Sequence, residues 1–415
     1  MRTALFIATL MMTAPPLHAQ AIDTKTQARI DRILKKTPLI DGHNDLPEQL
    51  SDHYGYKVDN LASGTAAWTP QPLMTDMARL RQGRVGGQFW SVYISGTVTG
   101  DEAIRQTIEQ IDIVDRLIAA YPRDLERAYT AADMVRIHKA GRIGSLVGIE
   151  GGRQIGGSLA ALRQFYNLGA RYMTLTHNQT TEWADSGTDD PKHGGLSPFG
   201  LAVVGEMNRL GMLVDLSHVS PDTMHDAIGA SRAPVIFSHS SAGGLNPHPR
   251  NVPDDVLRLL PANGGVVMVN WVPGFLSPDV WRWDGLRSAE EARLKSIHRA
   301  SSAAVAAGVK AWEAANPRPA VTVTHVADHI DLVAKIAGHD HVAIGADLDG
   351  IPYTPTGLEG VETYPVLFAE LIRRGWSDAN LAKLAGSNIL RALRGAEAAA
   401  AAMKSQPPSL ATLPK

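Results

Sequence analysis

The sequence predicts an α/β fold of the (β/α)8 TIM-like barrel type with extra helices. Short apolar runs rich in β-branched residues alternate with longer segments of helical period, the runs can be counted to eight, and the informative polar residues fall where those runs stop. Eight strand-helix repeats without an edge signal favour a closed barrel over an open doubly wound sheet.

Taken in order, the strands are expected at Pro38 to Asp41, Gln88 to Tyr93, Ser145 to Ile149, Tyr172 to Thr176, Leu213 to Leu216, Pro234 to Phe237, Val266 to Val269 and Val342 to Gly345. Between them, Asp101 to Ala120 reads as a helix with Ile104, Ile108, Ile111 and Ile118 on one apolar face. Ser158 to Leu168 reads as another, carrying Leu159, Leu162, Phe165 and Tyr166, with Gly169 placed to terminate it. The stretch from Trp281 to Ala320 exceeds what a crossover needs and predicts one or two helices outside the core.

A chain of 415 residues that is 44% apolar can bury a large core, and with no linker near its middle one enlarged barrel accounts for residues 22–396. The first residues carry one positive charge, a short apolar run and small residues at Ala19 and Ala21, which together predict a secretory leader over 1–21 cleaved after one of those alanines. The chain is therefore expected in the periplasm or secreted. No second apolar run is long enough to anchor it in a membrane. The tail, 397–415, with its alanine run and Pro407-Pro408, reads as a fraying helix followed by disorder.

Lys plus Arg number 40 against 42 Asp plus Glu, a formal net charge of -2 with no long run of one sign, which argues against nucleic acid or an anionic surface as partner. There is no cysteine, so disulfides, a lipidated leader and a thiol nucleophile are all excluded. Neither Gly-x-Ser-x-Gly nor any Gly-x-Gly occurs, which removes the serine-hydrolase elbow and the dinucleotide loop.

What remains is concentrated at strand ends. The first strand ends in His43-Asn-Asp45, and alternation along a strand would point positions 43 and 45 the same way, so an imidazole and a carboxylate could chelate one ion. The third ends in Glu150, the fifth in Ser217-His218, the sixth in Ser238-His239 and the eighth in Ala346-Asp347. On a barrel all of these converge at the C-terminal mouth. Three histidines and three carboxylates there form a mixed nitrogen and oxygen set, which suits zinc and has room for two ions bridged by a carboxylate and a water. A single strand-end histidine is usually satisfied by a backbone hydrogen bond; coincident metal-ligating residues at five strand ends are a different matter. His177, ending the fourth strand, fits a substrate contact and an outer packing role equally. By pattern alone Arg250, eleven residues after His239, is a solvated surface arginine. His138, His225, His298 and His325 sit in helical segments and read as surface or packing residues.

The motifs Ile40-Asp-Gly-His-Asn-Asp-Leu-Pro47, Gly148-Ile-Glu-Gly-Gly152, Arg171-Tyr-Met-Thr-Leu-Thr-His177, Leu216-Ser-His-Val-Ser220, Phe237-Ser-His-Ser-Ser-Ala242, Arg250-Asn-Val-Pro-Asp-Asp255 and Gly345-Ala-Asp-Leu-Asp-Gly350 resemble, in order, those of the renal or membrane dipeptidases, a family of binuclear zinc peptidases. The resemblance runs from Leu39 to about Leu393. It implies that His43 and Asp45 bind one zinc, that His218 and His239 bind the other, and that Glu150 bridges them. It also implies that Asp347 stands beside the bridging water as the proton carrier, that His177 contacts substrate, and that Arg250 clamps the free carboxylate of a dipeptide. A homodimer is compatible with it. The loop 243–249 and the segment 185–194 depart from mammalian members, as does the lack of cysteines, which bears on substrate preference rather than on the metals. Two other readings are a cyclic amidase or deaminase on the same metal barrel, and an exported binding protein without chemistry. The latter predicts gaps among the ligands, and the set is complete.

Overall fold

The computed structural model describes residues 22–414; the leader expected over 1–21 lies outside them. Nine strands form one sheet: β1 (Leu39–Asn44), β2 (Val85–Tyr93), β3 (Leu125–Arg127), β4 (Ile143–Glu150), β5 (Ala170–Thr174), β6 (Leu213–Asp215), β7 (Ile236–Phe237), β8 (Val266–Val269) and β9 (Val342–Ile344). Every pairing between them is parallel, β2 pairs β4 directly, and β9 returns to β1 through Asp41 and Ile344, so the sheet closes. All eight expected strands are present.

The ninth, β3, was not legible. It pairs Ile143 to Ser145, the start of β4, while β5 pairs the same strand from Val147 onward. Since β2 occupies the other edge, β3 and β5 share one edge of β4 end to end, and β3 extends the N-terminal rim without entering the ring.

Alternation along the strands separates two apolar layers. Ile40, Leu146, Tyr172, Leu213, Ile236, Val266, Met268 and Ala343 belong to one cluster. Their strand neighbours Leu39, Val147, Met173, Val214, Phe237, Val267 and Val342 belong to the other, packed with the surrounding helices. That is the inside and outside of a barrel. Met134 and Ile137 of the helix Ala131–Lys139 and Ile389 and Leu393 of the helix Asn388–Ala402 join the inner cluster and close it from below.

Two glycines show how tightly the interior is filled. A Cβ on Gly345 would lie 1.8 Å from the Ser238 carbonyl, and one on Gly148 would lie 2.0 Å from the Tyr172 ring. Tyr172 therefore occupies the room that Gly148 leaves, and its hydroxyl reaches the floor of the mouth.

The helices obey local signals, with corrections. Ser158 caps Leu159–Asn167 by accepting from the Ala161 amide, and Gly169, at φ 109°, follows its end as expected. In Gly100–Ala120 the buried residues include Ala103, Thr107, Gln110, Ile111, Val114 and Leu117, whereas Ile108 is exposed. The buried stripe is rotated to the far side of Ile111, because the barrel selects the Val114 and Leu117 side of a helix whose isoleucines flank it. The stretch beyond Trp281 forms two helices, Pro278–Ile297 and Ser302–Ala315, with a small apolar cluster of their own. The tail differs from the expectation of fraying: helix persists to Ala402, Met403 is buried, the Ser409 amide donates to Glu206, and Leu413 packs on the main core. Alanine is the best helix former, and the apolar side chains spaced along the tail give it a surface to bind. No helix among the described residues is long and apolar enough to cross a membrane.

His329 illustrates how the shell holds the mouth. Its Nδ1 accepts from the Ala242 amide, just after β7, so its Nε2 carries the proton donated to the Leu276 carbonyl. Both ring positions are then used, and burial pushes the imidazole down to about 4. An unfolded histidine titrates near ~6.5. Above that pH the group is neutral in both states; below it the unfolded chain takes up the proton first. Stability should therefore fall between pH 6.5 and 4, by about 3 kcal/mol at full extent. Urea unfolding at pH 7 and 4.5 should show a smaller acid loss for His329→Gln, which keeps one acceptor and one donor. Identical pH dependence in wild type and variant would contradict the assignment.

Candidate metal centre and active site

The mouth is built by strand ends held at defined spacing by two buried carboxylates. Asp41, inside β1, accepts from the His43 amide at 2.8 Å, the Ala346 amide at 2.9 Å, the Tyr364 hydroxyl at 2.8 Å and Gln88 Nε2 at 3.0 Å. It thereby ties the end of β1, with His43, to the end of β9, before Asp347. Burial raises its carboxyl above the usual range, and the four donors pull against that. Asp215, closing β6, does the same for the next sector, accepting from the amides of Ser217 at 3.1 Å and Ser238 at 2.8 Å and from the Ser238 hydroxyl at 2.6 Å. These contacts fix the residues just before His218 and His239. An acidic residue inside an apolar strand run was the available signal for both.

At the centre is Glu150, the last residue of β4. Its Oε1 lies 2.9 Å from His218 Nε2 and 3.2 Å from His239 Nε2, while its Oε2 lies 3.4 Å from His43 Nε2. Asp45 Oδ2 approaches the same His43 nitrogen at 3.2 Å, and the Nε2 atoms of His218 and His239 are 3.0 Å apart. One carboxylate thus faces two separate nitrogen sets, one through each oxygen. Three groups with all ligand atoms mutually within 4.8 Å could hold a metal ion: His43, Asp45 and Glu150; Glu150, His218 and His239; and His43, His239 and Asp347.

The tautomers fit a cation. Ser238 gives its proton to Asp215, so its oxygen accepts from His239 Nδ1 at 2.8 Å, leaving the Nε2 lone pair free. Tyr172 gives its proton to the Gly42 carbonyl and accepts from His43 Nδ1 at 2.9 Å, with the same result. His43 Nε2 is buried with no hydrogen-bond partner despite two carboxylate oxygens beside it, as is Asp45 Oδ1. Imidazoles fixed through Nδ1 and aimed through Nε2 at carboxylates are the usual support of a metal ligand set.

Electrostatics agree. Burial holds His218 and His239 well below the usual histidine range, assisted by the Arg250 cation for His218 and by His43 for His239, so both are neutral and able to ligate. Burial also works to lower His43, yet Asp45 and Glu150 prevail and raise it. The carboxylates that favour a proton on that nitrogen would equally favour a metal in its place. Burial drives Asp347 well above the carboxylate range, with Asp45 and Glu150 adding to it and His43 and Arg250 opposing.

His43 and Asp45 do meet, although not by strand alternation. The pairing of β1 slips between Asp41 and Asn44, and Asp45 already caps the helix Leu46–Tyr54 with φ -96° and ψ 22°. His218 and Asp347 stand beyond their strands at φ 71° and 65°, left-handed backbone uncommon outside glycine, in which His and Asp are among the side chains found most often.

The residues left open also come to the mouth. His177 Nε2 is 3.8 Å from Glu150 Oε1, and its ring packs against Tyr93 and His218 with centroids 4.6 and 4.3 Å away. Arg250 corrects the pattern-based expectation of a surface side chain: it is 3% exposed, and its guanidinium sits 5.3 Å from the centre of the Phe275 ring. Only the folding of the loop beyond β7 buries it, which no periodicity encodes. Its partners are the Ser240 hydroxyl at 3.5 Å and the His239 carbonyl at 3.3 Å, and no carboxylate pairs with it among the described residues.

These groups line a cavity of about 320 Å³ together with Glu48, Tyr93, Asn178, Val272, Phe275, Ile351 and Pro352. That is the small end of ligand pockets, matched to a substrate of a few residues at most. Glu48 was not singled out from the sequence, because an acidic residue in the first turn of a helix ordinarily just complements the helix dipole.

A closed parallel barrel whose C-terminal mouth gathers three imidazoles and two carboxylates around the carboxylate of Glu150 defines a metal-dependent hydrolase. The chain belongs to the membrane dipeptidase family, peptidase family M19, whose model matches residues 27–407, and the enzyme is a metallo-dipeptidase. It is 42% identical over 383 residues, 88% of its length and 82% of the relative's, to an uncharacterized dipeptidase of Schizosaccharomyces pombe. Its fold is similar to that of the probable dipeptidase PvdM of Pseudomonas aeruginosa, with TM-score 0.76, 24% identity and coverage of 90% of this chain and 99% of that one. It is also similar to a metallo peptidase of Rhodobacter sphaeroides liganded with a phosphinate mimic of L-Ala-D-Ala, with TM-score 0.69, 23% identity and coverage of 87% and 99%.

Proposed function

We propose that this dipeptidase works with two zinc ions, one held by His43 and Asp45, the other by His218 and His239, with Glu150 shared between them. The observation that carries the reading is the division of Glu150, with Oε2 turned to His43 and Oε1 to the pair His218 and His239. The mixed imidazole and carboxylate set suits zinc. When bound, the two ions would supply a shared water acidic enough to react at neutral pH and a Lewis acid for the scissile carbonyl.

The protein's own groups complete the chemistry. Asp347 takes the proton of the attacking water and delivers it to the leaving amine, for which its tendency to hold a proton in this buried place is suited. His177, neutral because burial lowers it, donates to the carbonyl oxygen as charge develops there. Arg250, buried and without a carboxylate partner, pairs through its two nitrogens with the substrate's terminal carboxylate. A clamp so close to the ligand cluster leaves room for one residue beyond the scissile bond and so favours dipeptides. The mimic bound to the Rhodobacter relative ends in a D-residue, which supports acceptance of a D-residue at the C-terminal position here as well.

Purified protein should hydrolyse L-Ala-L-Ala and L-Ala-D-Ala, lose activity with a chelator and regain it with about two equivalents of zinc per chain. Full activity in protein shown by elemental analysis to be metal-free would sink the two-zinc mechanism.

A further inference from the structure

The cavity holds two ionisable side chains that form no ion pair among the described residues. One is Arg250. The other is Glu48, whose carboxylate makes no ion pair and no side-chain hydrogen bond among the described residues, although it is mostly enclosed in the cavity wall. Glu48 follows β1 and Asp45, whereas Arg250 follows β7, three strands away round the ring. The charges acting most on both include Glu150 and Asp347 of the ligand cluster. The two side chains line one cavity with that cluster and enter it from strand ends that are not neighbours, so a substrate gripped at its carboxylate by Arg250 has Glu48 within the same enclosure.

We propose that Glu48 is a specificity-determining residue that receives a cationic group, an ammonium or guanidinium, on the residue N-terminal to the scissile bond. The inference rests on the dipeptidase reading and adds the other end of the substrate to it. Three features support it. A helical first turn presents the side chain, with Pro47 and Leu46 buried beneath it, so its position is fixed by packing rather than by a flexible loop. The charges that act on it most, Asp45, Glu150, Asp52 and Asp347, are all acidic, and they add to burial in disfavouring its carboxylate. A cation brought beside such a group relieves both effects. Of the four carboxylates that line the cavity, Asp45, Glu150 and Asp347 belong to the ligand cluster, which leaves Glu48 as the anion available to a substrate cation.

The cation has two possible sources, the α-ammonium common to all dipeptides and a basic side chain on the N-terminal residue. Wild type and Glu48→Gln are compared on Ala-Ala and Lys-Ala, with propionyl-Ala, which carries no cation, as a competitive inhibitor. The expected result is a rise in KM of about tenfold for the variant, the size of a lost charge-assisted hydrogen bond, with kcat and zinc content changed little and the Ki of propionyl-Ala unchanged. A rise for both substrates assigns Glu48 to the α-ammonium; a rise for Lys-Ala alone assigns it to the side chain. Glu48→Asp should restore part of the loss, and Glu48→Lys should turn the preference from Lys-Ala toward Glu-Ala. Unchanged KM for both substrates, or a Ki for propionyl-Ala that rises in proportion, overturns the proposal. Absence of any dipeptide hydrolysis by wild type would instead defeat the dipeptidase reading, and this inference with it.

Discussion

On the proposed two-zinc mechanism, replacing Glu150 by Gln is expected to lower kcat/KM by about 10³-fold or more and to reduce bound zinc below two per chain, because several kcal/mol of transition-state stabilisation would depend on the metals. The amide is the same size as the carboxylate, so the barrel should fold unchanged. Its NH2 would, however, turn a donor toward one of the nitrogen sets that Oε1 and Oε2 now face, His218 and His239 on one side and His43 on the other. No single amide can serve both. On the proposed mechanism, neutralising Glu150 would also remove the charge that offsets the two cations. Elemental analysis beside steady-state kinetics checks this, and a variant that keeps two zincs and wild-type kinetics would refute the central role of Glu150.

Asp347→Asn should act on the chemical step alone. A positioned acid or base contributes about 10²–10⁴-fold, and a loss of that size is expected in kcat with KM and metal content little altered. Asparagine tolerates the φ of 65° found at this position and keeps the side-chain length, so a structural explanation of the loss would be weak. Zinc content distinguishes the cases: a fall in kcat with metals retained supports proton transfer, whereas retained kcat would remove Asp347 from the mechanism.

Much of the ring was legible because a strand buried on both faces reads as a run of apolar residues. Val266 to Val269 emerges with the bounds expected of it. The strand Leu125–Arg127 did not emerge, since Leu-Glu-Arg carries a pairing edge but no apolar pattern. Among site residues, those at strand ends could be read because barrel geometry converts sequence position into a place at the mouth. Arg250 could be read through the family resemblance but not from pattern, and Glu48 by neither. Their burial is decided by how a loop and a short helix fold over the cavity, and neither fact has a periodicity. The proximity of His43 and Asp45 was anticipated on the wrong ground, strand alternation, where the chain in fact leaves the strand and turns into a helix at Asp45. The supporting acids Asp41 and Asp215 were visible as letters but not as roles, because a buried carboxylate satisfied by backbone amides has no spacing rule of its own.

The left-handed backbone at His218 and Asp347 bears on how such an enzyme drifts over generations. At each position glycine would relax the main chain while erasing a group to which the proposed mechanism assigns a role. Loss of function is thus the downhill direction for the fold at these two points. Either residue exchanged for glycine in a relative would, on the proposed mechanism, mark a barrel that keeps its fold after losing its catalysis.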